Sequence, residues 1–299
     1  MHIVVLSLER VRPLAAVSTP GQRWHHLIEP VAQVIRELGH SVTFRDITEP
    51  YLPADAAILH PDLTVVPPFA RRLAARYPVC LNAATHDISK RATSRNVLTR
   101  DGDWTGPVIV KSDLNCSGLS ERGLNMGARR AGLAPPFPAM PPIRALTEYR
   151  VFTSLAAVPA TVWDNPYWVV EAFRPERRPD GLHVVRIWYF AGDWETTRLI
   201  VSPHPVVKGP GSRYEGPCEV PADIRAERVR LGFDYGKFDF GIAGDGPALY
   251  DANRTPAYVA RVKEAYGPMI PGIAAGLLGA IAARQAGANT ASGQSAAPG

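Results

Sequence analysis

Asp239, Asp251 and Asn253 have the side-chain types and the spacing of a divalent-cation site. They belong to the segment KFDFGIAGDGPALYDANRTP, whose two strand-like halves flank Gly244-Asp245-Gly246, and this pattern predicts a β-hairpin. Opposed residues of a hairpin point to one face about 5 Å apart, and side chains two apart along a strand share a face. Two carboxylates placed in this way repel each other unless a cation lies between them. Mg²⁺, which one or two carboxylates hold together with phosphate oxygens, suits this set of ligands.

The register of the hairpin decides whether the two aspartates meet. With a three-residue loop, Ala243 opposes Pro247 and Asp239 opposes Asp251. A two-residue loop shifts the pairing by one residue and turns Asp251 to the opposite face. The structural alternative to a metal site is a solvated outer face, on which two aspartates cost little.

A lysine follows an apolar run in PVIVKSDLNCSG, at a place where it could meet phosphate groups. Lys111 ends the strand that is predicted from Pro107, and Ser117 and Gly118 lie in the loop that follows. Such a loop can offer an ammonium group and backbone N–H groups to phosphates, although the GxxxxGK[ST] motif is absent. The alternative is a lysine that ends a strand in order to reach water.

An arginine lies on an apolar strand face in GLHVVRIWYFAGD. Arg186 shares this face with Trp188 and Phe190, because side chains alternate along a strand. A guanidinium group there needs an anionic partner. The partner is either a ligand or a strand carboxylate such as Glu171 in YWVVEAF.

The elements that position these residues are predicted to alternate at first and to be mainly extended later. The early strand-like runs are separated by helical patterns, of which one ends at Gly39, and this indicates a small parallel α/β unit. Residues 150–256 are dominated by extended segments rich in aromatic and β-branched residues. The predicted early strands are His2–Leu8, Ser41–Arg45, Thr64–Val66 and Val79–Leu81.

The composition fits a globular protein that binds an anionic small molecule. The chain has 299 residues, 46% of them hydrophobic and 20% charged, with a net charge of +5 and a pI near 9.2. The basic residues form no run of five or six, so no nucleic-acid role is expected. Cys80, Cys116 and Cys218 lie far apart without a CxxC motif, which favours a reducing, cytoplasmic setting over a disulfide framework or a zinc site.

Two apolar stretches are not expected to be membrane segments. The N-terminal MHIVVLSLERVRP is too short for a signal peptide and is predicted to be a first strand. The uncharged stretch Ala265–Ala283 contains Pro268 and Pro271, so continuous helix is predicted only from Gly272 onwards. This length is too short for a bilayer of about 30 Å, and a buried terminal helix is expected.

In their order along the chain, these segments resemble the ATP-grasp superfamily over roughly residues 80–260. Lys90 in HDISKRATSR and Lys111 in VIVKSD match the two phosphate-binding lysines of the superfamily. Glu171 in WVVEAF matches its acidic hinge strand, and Asp239 with DANRTP matches its hairpin carboxylates. The resemblance implies an α/β and α+β chain in which ATP lies between two lobes behind a parallel α/β domain. The implied parts are an N-terminal parallel α/β (pre-ATP-grasp) domain at 1–85, a first ATP-grasp lobe at 86–165, and a second lobe with the metal hairpin and the C-terminal helix at 166–285. The remaining residues, 286–299, are mainly Ala, Gly, Ser and Thr, and this composition predicts a disordered tail.

The resemblance also implies a role for each matching residue. Lys90 and Lys111 hold the α- and β-phosphates, under a lid that contains Ser117 and Gly118, and Arg186 contacts the transferring phosphoryl group. The other implied roles are adenine binding at Glu171, Ala172 and Phe173, ribose binding at Glu176, and Mg²⁺ or Mn²⁺ binding at Asp239, Asp251 and Asn253.

The activity that the resemblance implies is an ATP- and Mg²⁺-dependent ligase. It joins a small-molecule carboxylate to an amine through an acyl-phosphate and releases ADP and phosphate. The alternatives are a phosphotransferase and a nucleotide-binding regulatory protein without turnover, which Asp251 in the usual place of glutamate would favour. A sugar-nucleotide glycosyltransferase leaves the hairpin spacing unexplained. The sequence identifies neither the substrates nor the oligomeric state. The basic residues His204, Lys208 and Arg213 either contact an acidic substrate or form a solvated turn.

Overall fold

Three β-sheets organise the chain. The computed structural model describes residues 1–8, 26–207, 211–244, 246–258 and 263–294. The first sheet has four strands, the second has three and the third has six. The first sheet is parallel, and the other two are antiparallel.

The first sheet is the predicted parallel α/β unit. Its central strands are buried on both faces, as expected where helices cover both sides of a sheet. The predicted strand at Thr64–Val66 is wrong, because the run AAIL at Ala56–Leu59 forms the third strand while Val65 makes only an isolated bridge with Asp87. The strands, in the spatial order β2-β1-β3-β4, are β1 (His2–Ser7), β2 (Ser41–Asp46), β3 (Ala56–Leu59) and β4 (Cys80–Leu81), with helices α1 (Ile28–Glu37) and α2 (Pro68–Ala74).

The second sheet is small and has one face buried. Val108 and Val110 point into an apolar cluster, so Ile109 and Lys111 point to the other face. Its strands, in the order β6-β5-β7, are β5 (Val108–Ser112), β6 (Arg150–Phe152) and β7 (Trp168–Ala172). The nearby helices are α3 (Lys90–Thr93), α4 (Leu119–Arg130), α5 (Ile143–Thr147) and α6 (Ala160–Trp163).

The third sheet carries an aromatic core on one face. Trp188, Phe190, Phe238 and Phe240 are buried there, with ring centroids 4.6–5.9 Å apart between the contacting pairs. The strands are β8 (Glu176–Arg177), β9 (His183–Ala191), β10 (Trp194–Ser202), β11 (Arg213–Glu215), β12 (Tyr235–Ala243) and β13 (Gly246–Asn253), and helix α7 spans Ala222–Arg230. The order is β11-β10-β9-β12-β13, with β8 paired to β9.

The C-terminal helix is longer than predicted. After the short helix α8 (Lys263–Tyr266), helix α9 spans Met269–Gln294, because Pro271 lies in its first turn, where a missing N–H breaks no helical bond. The expectation that this stretch is too short to cross a bilayer is therefore wrong. By length and composition, 269–287 is the one candidate membrane span among the described residues. One face of α9 nevertheless packs into the core through residues such as Ile273, Leu277 and Ile281.

Two observations bear on the predicted domain boundaries. Strand β7 follows the predicted boundary at residue 165, yet it pairs with β5 of the second sheet. Helix α9 continues past Ala286, where the disordered tail was predicted to begin. We therefore propose that the first lobe extends to about Ala172 and that the second lobe begins after it.

Candidate active site

A cavity of about 500 Å³ lies between the second and third sheets. Strands β5 and β7 line one side of it, and β9, β12 and β13 line the other. Six charged side chains that line it form lysine–carboxylate pairs, namely Lys90 with Asp251, Lys111 with Glu171, and Lys237 with Asp239. A partly enclosed cavity with convergent charged groups is the expected form of a small-molecule site.

The hairpin brings Asp239 and Asp251 opposite each other, as predicted, but the residue pairing near the turn differs from the predicted one. The predicted pairing of Ala243 with Pro247 is wrong, because Ala243 pairs with Gly246 and the register near the turn is shifted by one residue. A β-bulge between the Phe240–Leu249 and Asp239–Asp251 pairs leaves Tyr250 as the extra residue. This extra residue restores the aspartate pairing that the tighter turn would otherwise remove.

Each aspartate has a lysine partner. Lys237 Nζ lies 2.9 Å from Asp239 Oδ2, and Lys90 Nζ lies 2.5 Å from Asp251 Oδ1. Burial would raise the pKa of Asp251, but Lys90 and Lys237 hold it below its usual value. Burial raises the pKa of Asp239, which Asp251 raises further and Lys237 partly offsets. The two carboxylates therefore titrate apart, as a close like-charged pair does.

The donor set fits a magnesium ion that is held jointly with phosphate oxygens. Asp239 Oδ1 and Glu171 Oε1 are buried and have no hydrogen-bond partner, so both oxygens can accept a cation or a donor from a ligand. Within the described residues, no group of three or more His, Cys, Asp or Glu residues could hold a metal. Mg²⁺ does not need such a cage, because one or two carboxylates and substrate phosphates complete its octahedron.

Asn253 is on the predicted face but its oxygen is already engaged. It pairs with Lys237 across the hairpin and lines the cavity. Its Oδ1 accepts hydrogen bonds from Thr255 N at 2.7 Å and from Thr255 Oγ1 at 3.1 Å. The single hydroxyl proton of Thr255 is shared with Asp62 Oδ1 at 2.9 Å, so the Thr255 N–H is the bond that a metal at this oxygen would have to accommodate.

The structure does not bring Arg186 or Glu176 into the cavity. Arg186 pairs with Phe240 across β9 and β12, which places it on the opposite face of the sheet from Asp239. Its Nε and Nη2 donate to the Glu176 carboxylate at 2.7–3.2 Å, and Ile242 N donates to the same carboxylate at 2.7 Å. The two side chains form the structural ion pair that was the open alternative for Arg186, and their phosphoryl and ribose roles stay predictions.

The predicted adenine-binding segment lines the cavity, but two of its backbone N–H groups are already hydrogen-bonded. Glu171, Ala172 and Phe173 all border the cavity. The N–H groups of Ala172 and Phe173 donate to Asn96 O at 2.8 Å and to Pro107 O at 2.9 Å. A base could therefore not use these two N–H groups, whereas Glu171 Oε1 is a buried side-chain oxygen without a hydrogen-bond partner.

The predicted lid is a short left-handed turn. Cys116, Ser117 and Gly118 have φ values of 44°, 57° and 74°, and Ser117 lines the cavity. Positive φ is unfavourable for residues other than glycine, so the surrounding structure must hold this turn. Asn115 helps to hold it, since its Nδ2 donates to Asp62 Oδ1 at 2.7 Å.

Lys237 is a site residue that the sequence reasoning missed. It precedes Asp239 by two positions, so strand alternation alone places both on one face. That signal was present in the sequence.

Of the basic group near β11, Lys208 lies outside the described residues, and exposed Arg213 donates to Glu215 at 2.9 Å.

Comparison with known proteins gives structural matches. No protein-family model matches the sequence, and no curated protein does. The ATP-grasp ligase PsnB, solved with a phosphomimetic precursor variant, Mg and ADP, is 14% identical, with a TM-score of 0.50 over 93% of this chain and 97% of that chain. A RimK domain ATP-grasp protein from Sphaerobacter thermophilus is 16% identical, with a TM-score of 0.47 over 93% of this chain and 100% of that chain. The sheet order, the cavity between two lobes and the likeness to PsnB together show that this chain has the ATP-grasp fold.

Proposed function

We propose that the chain is an ATP- and Mg²⁺-dependent ligase that joins a carboxylate to an amine through an acyl-phosphate. The observation that carries the proposal is the facing pair Asp239 and Asp251 beside lysines in one cavity. Phosphoryl transfer demands little covalent chemistry from a protein, because positioning and charge neutralisation do most of the work. The cavity supplies both.

The side chains divide this work by position. Lys90 and Lys111 approach the cavity from the first lobe, where their ammonium groups would neutralise phosphate oxygens. Lys237 lies on the opposite wall beside Asp239. Within this proposal, Lys237 contacts the transferring phosphoryl group, a role that the resemblance implied for Arg186. Asp239 and Asp251 would hold Mg²⁺, which would neutralise charge that develops on the phosphate oxygens.

Binding of ATP must rearrange the present ion pairs. Lys111 Nζ lies 2.5 Å from Glu171 Oε2 and 3.2 Å from Tyr250 O, so it would have to turn from these acceptors in order to contact a phosphate. Lys90 and Lys237 would likewise have to release aspartate oxygens that hold a metal. These lysines keep the carboxylates paired until the nucleotide arrives, because an unpaired buried charge is costly.

A panel of acceptors tests this proposal. ATP, Mg²⁺ and one carboxylate with one amine should release ADP and phosphate, and omission of either acceptor should stop turnover. The likeness to PsnB, which was solved with a precursor variant, adds peptide carboxylates to the panel. ADP formed from a single alcohol acceptor would identify a phosphotransferase instead. Nucleotide binding without turnover across the panel would identify a regulatory protein.

A further inference from the structure

The site face of the third sheet continues from the aspartates into an apolar surface. Asp239 pairs with Ile187 and Lys237 pairs with Tyr189 across β12 and β9, so these side chains share one face. Val185, two residues before Ile187, continues that face along β9.

The same surface extends over two more strands. Ile200 on β10 opposes Val185, and Tyr214 on β11 opposes Ile200. All of these side chains line the cavity of the lysine–carboxylate pairs. We define the apolar wall as Val185, Ile187, Tyr189, Ile200 and Tyr214.

The apolar wall has no charge of its own. Tyr266 packs edge-on against Tyr189, with ring centroids 6.5 Å apart, and closes one side with a further ring. Lys237 and Arg198 adjoin the wall on this face of the sheet. Lys237 pairs with Tyr189 and lies where the wall meets the aspartates, whereas Arg198 pairs with Ile187 but is not part of the cavity lining. Such a surface favours an uncharged apolar body and penalises a second carboxylate, whose desolvation no group of the wall would offset.

We propose that the apolar wall binds the side chain of the carboxylate substrate, which is an acid with a branched or aromatic, uncharged body. The proposal rests on the proposed function, because it places the reacting carboxylate beside Lys237 and Asp239. Neighbouring strands are about 4.8 Å apart, so the body extends about 10 Å from Asp239 on β12 to Ile200 on β10. The nucleotide lies on the other side of the aspartates, towards Lys111 and Glu171 of the first lobe.

Two readouts on a panel of acids test this proposal. With ATP, Mg²⁺ and hydroxylamine as the amine, hydroxamate formation is measured for 3-phenylpropanoate, 4-methylpentanoate, glutarate and succinate. We expect kcat/KM for the two apolar acids to exceed that for the two diacids by about tenfold or more, as expected for burying one side chain. Calorimetry with a non-hydrolysable ATP analogue and Mg²⁺ measures binding of the same acids without turnover.

Charge substitutions on the apolar wall make the test specific. Tyr214 is 46% exposed, so Tyr214→Lys should fold, and it should move the preference at least tenfold towards glutarate. Val229→Lys makes a similar change on α7 at an 81% exposed position outside the cavity, and it should leave the preference unchanged. Ile200→Ala, which adds no charge, should weaken binding of the apolar acids.

The outcomes separate the two proposals. Equal or better use of the diacids by the unmodified protein, or an unchanged preference in Tyr214→Lys, would overturn the role of the apolar wall. Selective binding of the apolar acids without ADP formation would support the wall and contradict the ligase reaction. Absence of both binding and turnover would contradict both proposals.

Discussion

The two hairpin aspartates differ in how their carboxylate oxygens are paired. Asp239 Oδ1 and Asp251 Oδ1 are both buried without a hydrogen-bond partner, but Asp251 Oδ1 lies 2.5 Å from Lys90 Nζ in an ion pair, whereas the lysine partner of Asp239 lies at its other oxygen. An unsatisfied buried carboxylate oxygen is costly and is a common mark of a ligand site. Asp239 is therefore the residue at which metal binding should be most sensitive to substitution.

Asp239→Asn should abolish turnover and leave the fold intact. The amide keeps the shape of the side chain but loses the charge that holds Mg²⁺, so we expect a fall in kcat of about a hundredfold or more. Far-UV circular dichroism should be unchanged. Asp223→Asn, at an exposed position on α7, is the matched control and should keep full activity. Normal turnover in Asp239→Asn would exclude this aspartate as a metal ligand.

Lys111 and Glu171 form a buried ion pair, and its contribution to stability can be separated from the contribution of Lys111 to ATP binding. Their side chains are only 9% and 2% exposed, so Lys111→Ala should destabilise the protein by about 3–5 kcal/mol through the unpaired glutamate. The double variant Lys111→Met with Glu171→Gln should recover most of that stability in urea denaturation. It should not recover ATP affinity, and recovery of both would show that Lys111 contacts no phosphate.

The residue types of the site were more predictable from the sequence than their contacts. Spacing brought Asp239 and Asp251 together, and alternation could have added Lys237. Arg186 was placed on the correct apolar face, and the structure pairs it there with Glu176 beside the aromatic core. Which face of a sheet meets a ligand depends on how the sheets pack, and a single strand pattern does not contain that information.

At the scale of elements, the hairpin shows why boundaries and registers are hard to predict. The turn was predicted one residue too long, and Tyr250 compensates as a bulge. No propensity rule distinguishes a three-residue loop from a tighter turn with a bulge further along, because both leave the same residues paired beyond it. Strand β3 was missed for a different reason, since its two alanines give little strand signal.

Helix α9 packs closely because it contains glycines, and two of them make a matched test. A Cβ at Gly276 would lie 2.1 Å from Ala191 O on β9, whereas a Cβ at Gly279 would meet nothing within 4 Å. Gly276→Ala should therefore destabilise the fold by about 1–3 kcal/mol through overpacking. Gly279→Ala should stabilise it by up to about 1 kcal/mol through helix propensity. Equal melting temperatures for the two variants would contradict the close packing of α9 on β9.

At the scale of the whole molecule, two lobes contribute opposite walls of one cavity. Lys111 and Glu171 come from the second sheet and Lys90 from the nearby helix α3, whereas Lys237, Asp239 and Asp251 come from the third sheet. The parallel α/β unit was predictable from alternating strand and helix patterns, whereas the α+β part was predicted from the resemblance to the ATP-grasp superfamily. The pairing of β7 with the first lobe was not predictable, because strand partners far apart in sequence leave no local signal.

A ligand that contacts both walls should stabilise the whole protein. A non-hydrolysable ATP analogue with Mg²⁺ at a hundred times its dissociation constant should add about 2.7 kcal/mol to the free energy of unfolding. The increase should be smaller with EDTA, and Asp239→Asn should lose its Mg²⁺-dependent part. A thermal shift that is identical with and without Mg²⁺ would contradict metal binding at the hairpin.

The central claim is that ATP activates a carboxylate in this cavity, and the nucleotide product tests it most directly. The protein is incubated with ATP, Mg²⁺, hydroxylamine and a panel of carboxylates, and the nucleotides and hydroxamates are separated by chromatography. Transfer of the γ-phosphoryl group predicts ADP, orthophosphate and hydroxamate in equal amounts, all absent in Asp239→Asn. Formation of AMP and pyrophosphate would show adenylation and contradict the acyl-phosphate route.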